Sequence, residues 1–245
     1  MFRSEGLTDK GLKREKNEDS LLIGDSIFLV SDGMGGHKKG EVASEIVVNA
    51  MKRINYSDIT IGGSYYEYIK SILNDAIDDA YESIKRYAKR SKIDSIMGAT
   101  LAGIYINYLI PDKIAVFHLG DSRVYRVRDR VIEPLTTDHS QYEDMKRSGN
   151  YSPEQLQRVS RSTITKAIGN FKKSEAEISF FQYKDGDKFL ICTDGVSDLC
   201  NFGDLERIVN QTDNLKKVCQ DIKELVYKRG ARDNLSLILL EVELT

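Results

Sequence analysis

Two apolar runs in this chain each end in a hydroxyl residue followed by Asp-Gly. The first, FLVSDG, covers 28–33, and the second, LICTDG, covers 190–195, about 160 residues later. A carboxylate at the end of a buried strand is costly unless it is paired or binds a metal. Glycine directly after it allows a sharp turn or a close backbone approach. The repeated pattern therefore predicts two buried strands that bring Asp32 and Asp194 to one place.

The other apolar runs predict an α+β fold. Runs rich in Val, Ile, Phe and Tyr with turn-like borders predict strands at 20–23, 27–31, 99–106, 113–119, 122–127, 187–193 and 235–242. Helical periodicity predicts helices at 40–54, 66–90, 203–211 and 215–229. The runs 113–119 and 122–127 are predicted to form a hairpin, which implies antiparallel sheets. Helices grouped in pairs imply layers laid outside those sheets.

The 245-residue chain is long enough to bury a sizeable core, and no linker-like or low-complexity stretch divides it. We therefore expect a single domain over 1–245. A polar, charged stretch at about 140–165 interrupts the strand pattern. A long excursion of this kind is either a functional flap or a plain helix-turn-helix on the surface.

Composition excludes several classes of function. The formal net charge of -2 gives no basic field for nucleic acid or an anionic membrane. No apolar stretch of about 18 residues predicts a membrane span, and the N-terminal segment lacks the apolar centre of a signal peptide. Three cysteines with no CxxC pair argue against zinc and against a disulfide framework. We expect a cytoplasmic monomer that binds neither nucleic acid nor membrane.

Six carboxylates lie at the predicted ends of central strands. They are Glu18, Asp19, Asp32, Asp121, Asp194 and Asp233. Such a cluster repels itself unless cations lie within it. Its donors are all oxygens, so Mg²⁺ or Mn²⁺ is the expected cation. Two such ions about 3.5–4 Å apart can share one Asp and activate a water, so that no Ser or Cys nucleophile is required.

The sequence also contains a positively charged side chain that could bind an anionic substrate. Arg14 lies four residues before Glu18, and in an extended strand an even separation places both on one face. Its planar guanidinium can bind a phosphate through two hydrogen bonds. By the same alternation, Glu18 and Asp19 point to opposite faces. We therefore expect one of them to ligate a metal directly and the other to act through water.

Eight short motifs follow one another along the chain, from about residue 6 to residue 242. They are REKNEDS, SDGMGGHKKGE, MGATL, GDSRVYR, LTTDHS, ITKAIG, CTDGVSD and RDNLSLILL. In order and approximate spacing they resemble the metal-dependent type 2C protein phosphatases, the PPM family, and in particular its compact bacterial members. The resemblance implies a four-layer αββα sandwich, in which two central antiparallel β-sheets are flanked by helix pairs. It also implies hydrolysis of phosphoserine and phosphothreonine by a metal-activated water.

The resemblance further implies a set of metal ligands. Asp32 would bridge two core metals, and the carbonyl of Gly33 would bind the second of them. Asp194 and Asp233 would bind the first. Asp121 matches a position that, together with Asp194, holds a third and weaker metal in bacterial relatives.

Two other parts of the site follow from the resemblance. Arg14 would contact the substrate phosphate, and 140–165 would be a mobile flap. Animal members of the family often have a histidine directly after Asp-Gly as general acid, where this chain has Met34. The nearby His37 is a candidate for that role. The alternatives are that His37 is a cap or surface residue and that a metal-bound water donates the proton. The other histidines are expected to be structural.

The leading hypothesis is a protein Ser/Thr phosphatase whose partners are phosphorylated proteins and the eukaryotic-like Ser/Thr kinase that modifies them. One alternative is a catalytically weak phosphoprotein-binding module on the same fold, which would be expected to lack a carboxylate. A second is a switch phosphatase dedicated to one regulatory protein, whose relatives usually lack the REKNED motif. A third is a metal-dependent phosphodiesterase or nuclease, which a basic groove would favour.

Overall fold

The structure, a computed structural model, describes residues 1–35, 39–54, 64–108, 112–169 and 171–244. The strands are β1 (Phe2–Asp9), β2 (Asp19–Ile23), β3 (Ile27–Gly35), β4 (Met97–Ala99), β5 (Leu101–Ile106), β6 (Lys113–Leu119), β7 (Arg123–Arg128), β8 (Val131–Pro134), β9 (Ile168–Gly169), β10 (Glu177–Gln182), β11 (Lys188–Cys192) and β12 (Leu235–Val242). The helices are α1 (Gly40–Met51), α2 (Tyr65–Arg90), α3 (Gln141–Ser148), α4 (Pro153–Leu156), α5 (Asp194–Ser197), α6 (Phe202–Val209) and α7 (Leu215–Lys228).

These strands form two antiparallel sheets. The first sheet has the order β1-β12-β11-β7-β8, and the second has the order β10-β6-β5-β3-β4-β9, with β2 paired to β3. Helices α1 and α2 pack on the outer face of the second sheet, and α6 and α7 pack on the outer face of the first. The predicted αββα sandwich is confirmed.

Burial on both faces of each sheet explains the continuous apolar runs. In β12, Leu237 and Leu239 pack beneath the helices, while Ile238 and Leu240 point into the layer between the two sheets. A strand with two buried faces leaves polar residues only at its ends. The carboxylates Asp32, near the end of β3, and Asp194, just after β11, therefore lie at the edge of the sandwich, next to its core.

The predicted hairpin of 113–119 with 122–127 is wrong. Strand β6 pairs with β5 and β10, whereas β7 pairs with β8 and β11 in the other sheet. The chain crosses between the sheets at Gly120, whose φ of +120° favours glycine, and a Cβ there would lie 2.7 Å from Cγ2 of Thr100. This crossover places Asp121 where the ends of the two sheets meet.

Each of the seven predicted strands and four predicted helices is present with small shifts at its ends, and 99–106 is split into β4 and β5. The strands that the sequence did not predict are β1, β8, β9 and β10. All four are edge strands of the two sheets. β1, β8 and β10 are partly exposed and carry polar residues, so their apolar pattern is weak, whereas β9 is buried but only two residues long.

The flap segment, 140–165, contains α3 and α4, and neither helix has a buried side chain. Its two ends are joined by a β-bridge between Ser140 and Ile164. The segment therefore lies on the surface and is anchored at its roots. Among the described helices, none is both long and apolar enough to cross a lipid bilayer.

Candidate active site

A cleft of about 250 Å³ opens where the ends of β3 and β11, the crossover and the start of β12 meet. The predicted site residues that line it are Arg14, Glu18, Asp32, Gly33, Asp121, Asp194 and Asp233. Asp19 is buried beside this group and accepts a 2.9 Å hydrogen bond from Thr193 Oγ1. His37 lies outside the described residues. The fold thus brings together carboxylates that are more than 200 residues apart in the sequence.

Gly33 is required by a close approach of backbone segments. A Cβ on this residue would collide with the carbonyl of Gly40 and lie 2.6 Å from the carbonyl oxygen of Glu18. The neighbouring Asp32 is fixed by Thr100, which accepts a 3.0 Å hydrogen bond from the Asp32 amide and returns a 2.8 Å bond to its carbonyl. The backbones of Asp32 and Gly33 are therefore held in position by the fold.

Burial controls the charge of the carboxylate cluster. It raises the pKa of Asp19 and of Asp121 to about 7 and that of Asp194 to about 6. For Asp32, burial and then the charges of Asp19, Asp194 and Asp121 raise the pKa well above its usual value. Buried carboxylates without cations keep their protons because neighbouring negative charges would repel one another.

Two oxygens of the cluster indicate a site for a cation. Oδ1 of Asp19 and Oδ1 of Asp194 are buried and have no hydrogen-bond partner among the described residues. Leaving a buried acceptor without a partner costs about 1–3 kcal/mol, and more for a charged group. A hard divalent ion would satisfy both oxygens, and the donor set is one that Mg²⁺ and Mn²⁺ prefer. The residues present therefore fit divalent metal ions.

Arg14 lies in the loop between β1 and β2. The prediction that Arg14 shares a strand face with Glu18 is therefore wrong, although both residues line the cleft. Nη2 of Arg14 donates a 2.7 Å hydrogen bond to Oδ2 of Asp233, and 48% of its side chain is exposed. The guanidinium thus reaches from solvent into the carboxylate cluster.

Glu18 also precedes its strand, because β2 begins at Asp19. Strand alternation therefore does not set the relative directions of these two side chains. Glu18 lines the cleft, and burial raises its pKa. Asp19 pairs with Asp32 across β2 and β3. The division of roles between a direct and a water-mediated ligand stays a prediction.

Asn234 is a supporting residue that the sequence reasoning missed. Its Oδ1 accepts a 2.8 Å hydrogen bond from the amide of Glu18, and its Nδ2 donates to the carbonyls of Lys10 at 2.9 Å and Lys16 at 2.8 Å. It therefore fastens the loop that carries Arg14 to the start of β12. The available signal was a polar side chain directly after Asp233 and before a buried strand.

His118 and His139 form a buried stacked pair, with ring centroids 4.3 Å apart. Nδ1 of His139 accepts a 3.0 Å hydrogen bond from the amide of Gly120, so the proton of the neutral ring lies on Nε2, 3.1 Å from Oε1 of Glu177. The backbone amide of His139 also donates to the carbonyl of Gly120 at 2.8 Å. Both ring nitrogens of His139 therefore have hydrogen-bond partners. Through its bonds to Gly120, His139 holds the crossover before Asp121 in place.

We expect His139→Leu to lower the free energy of unfolding by about 1–3 kcal/mol, because the buried Gly120 amide loses its acceptor. His139→Asn is the matched control, since its side-chain oxygen lies close to the position of Nδ1 and should retain most of the stability. Urea unfolding of the metal-free proteins measures both effects. Equal stability of His139→Leu and the wild type would contradict this role.

A two-sheet sandwich with a buried, oxygen-only carboxylate cluster beside an arginine is typical of a metal-dependent hydrolase that acts on an anionic substrate. The family model of protein phosphatase 2C matches residues 13–239, and the chain belongs to that family. The prediction of an enzyme of the type 2C phosphatase class is therefore confirmed.

Individual relatives agree with this assignment. The chain is 28% identical over 250 residues to the serine/threonine phosphatase stp of Listeria monocytogenes, covering 100% of this chain and 97% of that protein. It is also similar to the crystal structure of the Mycobacterium tuberculosis serine/threonine phosphatase PstP/Ppp, with a TM-score of 0.87, 27% identity and 99% of each chain covered. A structure of the PstP catalytic domain in complex with two manganese ions gives a TM-score of 0.83, with 26% identity and 99% of each chain covered.

Proposed function

We propose that this protein is a Mn²⁺- or Mg²⁺-dependent phosphatase that hydrolyses phosphoserine and phosphothreonine in proteins and opposes a eukaryotic-like Ser/Thr kinase. The cluster of buried carboxylates, in which two oxygens have no hydrogen-bond partner among the residues that the structure describes, carries the proposal, and the names of the similar phosphatases support it. The chain acts as one catalytic domain and as a cytoplasmic monomer. Because the predicted ligands Asp32, Asp194 and Asp233 are all present, an inactive binding module is not favoured.

Each of the two core metal ions has a proposed set of ligands. Asp32 would contribute to holding both core ions, the carbonyl of Gly33 would help to hold the second, and Asp194 and Asp233 would hold the first. Glu18 and Asp19 complete the core site, one of them through water. Bound there, divalent ions lower the pKa of water towards neutrality and so supply the nucleophile.

Arg14 binds the substrate phosphate. Its guanidinium already reaches the cluster through Asp233, and a planar group with five N–H donors has further donors for phosphate oxygens. Ser162 and Ile164 of the flap segment also line the cleft. His37 remains the predicted donor of a proton to the leaving oxygen.

The proposed function is tested with p-nitrophenyl phosphate and then with phosphopeptides, each with Mn²⁺ and with EDTA. We expect hydrolysis with Mn²⁺, its loss in EDTA, and release of phosphate from phosphoserine and phosphothreonine peptides. Hydrolysis that persists in EDTA would refute the metal-dependent reaction. Activity restricted to phosphodiesters would favour the nuclease alternative.

Binding of Mn²⁺ is expected to release more protons at pH 6 than at about pH 8.5. Metal ligands must be deprotonated, and Asp19, Asp121 and Asp194 hold protons up to about pH 6–7. Their pKa is higher in the folded than in the unfolded chain, so their contribution to stability is present below about pH 4 and is lost as the pH rises through 7. Calorimetric titration in two buffers of different ionisation enthalpy counts the protons. Equal release at both pH values would contradict the prediction.

Asp121 is proposed to hold a third, weaker ion together with Asp194. A site with fewer protein ligands keeps more water and binds less tightly. Asp121→Ala should therefore retain two tightly bound Mn²⁺ ions, lose the weak one and lose part of its activity. Calorimetric titration of Mn²⁺ into both proteins counts the sites. The same number of sites in a variant that is only less heat-stable would mean that Asp121 merely caps its turn.

A further inference from the structure

A second cavity opens directly beside the phosphate cleft. It has a volume of about 420 Å³, and it shares Ser162, Asp194 and Asp233 with the cleft. Its remaining lining residues are Arg161, Gly195, Asp198, Leu199 and Arg232. A substrate whose phosphate lies in the cleft therefore places a neighbouring part of its chain over this second cavity, which we call the Arg232 cavity.

Charge is the distinguishing property of the Arg232 cavity. Arg232 is exposed and forms no hydrogen bond or ion pair within the described part of the chain. Arg161 lies with its guanidinium carbon 4.4 Å from the ring centroid of Tyr142 and donates a 3.3 Å hydrogen bond to the Tyr142 hydroxyl. The stacked guanidinium keeps further N–H donors free. Arg161 from the flap segment and Arg232 from the turn before β12 thus line the same cavity.

The negative groups of the cavity do not cancel this charge in the loaded enzyme. Asp194 and Asp233 are proposed metal ligands, so bound cations would compensate their negative charge. Asp198 is the remaining carboxylate among the lining residues. The cavity then presents two guanidinium groups against a single carboxylate and is complementary to an anion.

The surface continues past Arg161 into a third cavity of about 370 Å³. Its lining includes Tyr142, Lys146 and Phe202, and Phe202 is 51% exposed. The three cavities are neighbours along the flap segment, because Ser162 lines the first two and Arg161 lines the last two, and we refer to them together as a trough. A trough of this form fits an extended peptide with a phosphorylated residue at one end.

We propose that the Arg232 cavity is a specificity subsite that binds an acidic group of the substrate protein next to the phosphorylated residue. The group is either the carboxylate of Asp or Glu or a second phosphate, because guanidinium groups bind both by charge-assisted hydrogen bonds. Arg232 is the principal contact, and Arg161 assists from the flap segment. The inference rests on the proposed phosphatase function and adds a preference for acidic or multiply phosphorylated sequences.

The test compares kcat/KM for phosphothreonine peptides that differ at one flanking position, which is Gln, Glu, Lys or phosphoserine. We expect the wild-type enzyme with Mn²⁺ to prefer Glu over Gln about fivefold at one position, the upper range for an exposed ion pair. Arg232→Gln should abolish that preference, and Arg161→Gln should reduce it. Preference for phosphoserine over Glu would identify a second phosphate as the ligand, and the reverse would identify a carboxylate.

Matched controls are Arg158→Gln, which removes a flap charge outside the three cavities, and Lys228→Gln on α7. Both should retain the Glu-over-Gln preference. Wild-type enzyme without any preference, or a preference that survives in Arg232→Gln, would overturn the subsite. Anisotropy with fluorescent phosphonate peptides measures the same preference without turnover. A protein that hydrolyses no phosphopeptide would therefore refute the proposed function, while the binding ratio would still decide the subsite.

Discussion

Asp32→Asn is expected to lower kcat by about two to three orders of magnitude, the effect of removing one electrostatic group from an active site. Asp32 is the carboxylate that we propose both core ions would share, and the neutral amide of Asn cannot supply the negative charge that such a shared ligand provides. The backbone contacts of Asp32 with Thr100 do not involve its side chain, so the fold should be retained. Steady-state kinetics with p-nitrophenyl phosphate and Mn²⁺ measure the loss.

The matched control is Asp25→Asn, which removes an exposed carboxylate from the turn between β2 and β3. It should have wild-type kcat. Circular dichroism and thermal unfolding check that Asp32→Asn is folded, and calorimetry should show weaker Mn²⁺ binding. Near-normal turnover by a folded Asp32→Asn protein would refute the shared-carboxylate site.

Arg14→Ala is expected to lower kcat/KM towards phosphopeptides about 10- to 150-fold, because a hydrogen bond to a charged group contributes about 1.5–3 kcal/mol. The loss appears in KM, and it appears also in kcat if the contact strengthens in the transition state. Arg14→Lys retains the positive charge but lacks the planar guanidinium with its paired N–H donors, so its loss of kcat/KM should be intermediate.

The pairing of Arg14 with Asp233 provides an independent readout for this variant. Without the guanidinium, Asp233 has no competing cation at this position, so Mn²⁺ binding should be as tight as in the wild type or tighter. Lys13→Ala removes an exposed neighbouring charge and serves as the control. Unchanged kcat/KM in Arg14→Ala would show that Arg14 is only a surface charge. Weaker Mn²⁺ binding would show that its role is to support the metal site.

Much of the site was predictable because its signals are local. An apolar run that ends in Asp-Gly indicates a buried strand with a carboxylate at its end, and this pattern is sufficient to identify Asp32 and Asp194. The position of Asp233, two residues before the apolar run 235–242, carries the same information. Oxygen-only donors then limit the metal to hard divalent ions.

The support around these ligands was not predictable from such signals. Asn234 and Thr193 are short polar residues that are common in loops and at strand ends, and their hydrogen bonds reach partners at distant positions. The Arg232 cavity joins the flap segment to the turn before β12, about 70 residues later in the chain. Periodicity carries no information about contacts of that range.

The sequence by itself determined the central strands, the flanking helices and the carboxylates, because burial on two faces imposes continuous apolar runs and leaves charge at their ends. Tertiary structure alone decided which strands pair. β6 and β7 are adjacent in sequence, yet Gly120 directs them into different sheets. It also decided the edge strands and the loop position of Arg14, because partly exposed segments lack the apolar pattern from which strands are predicted.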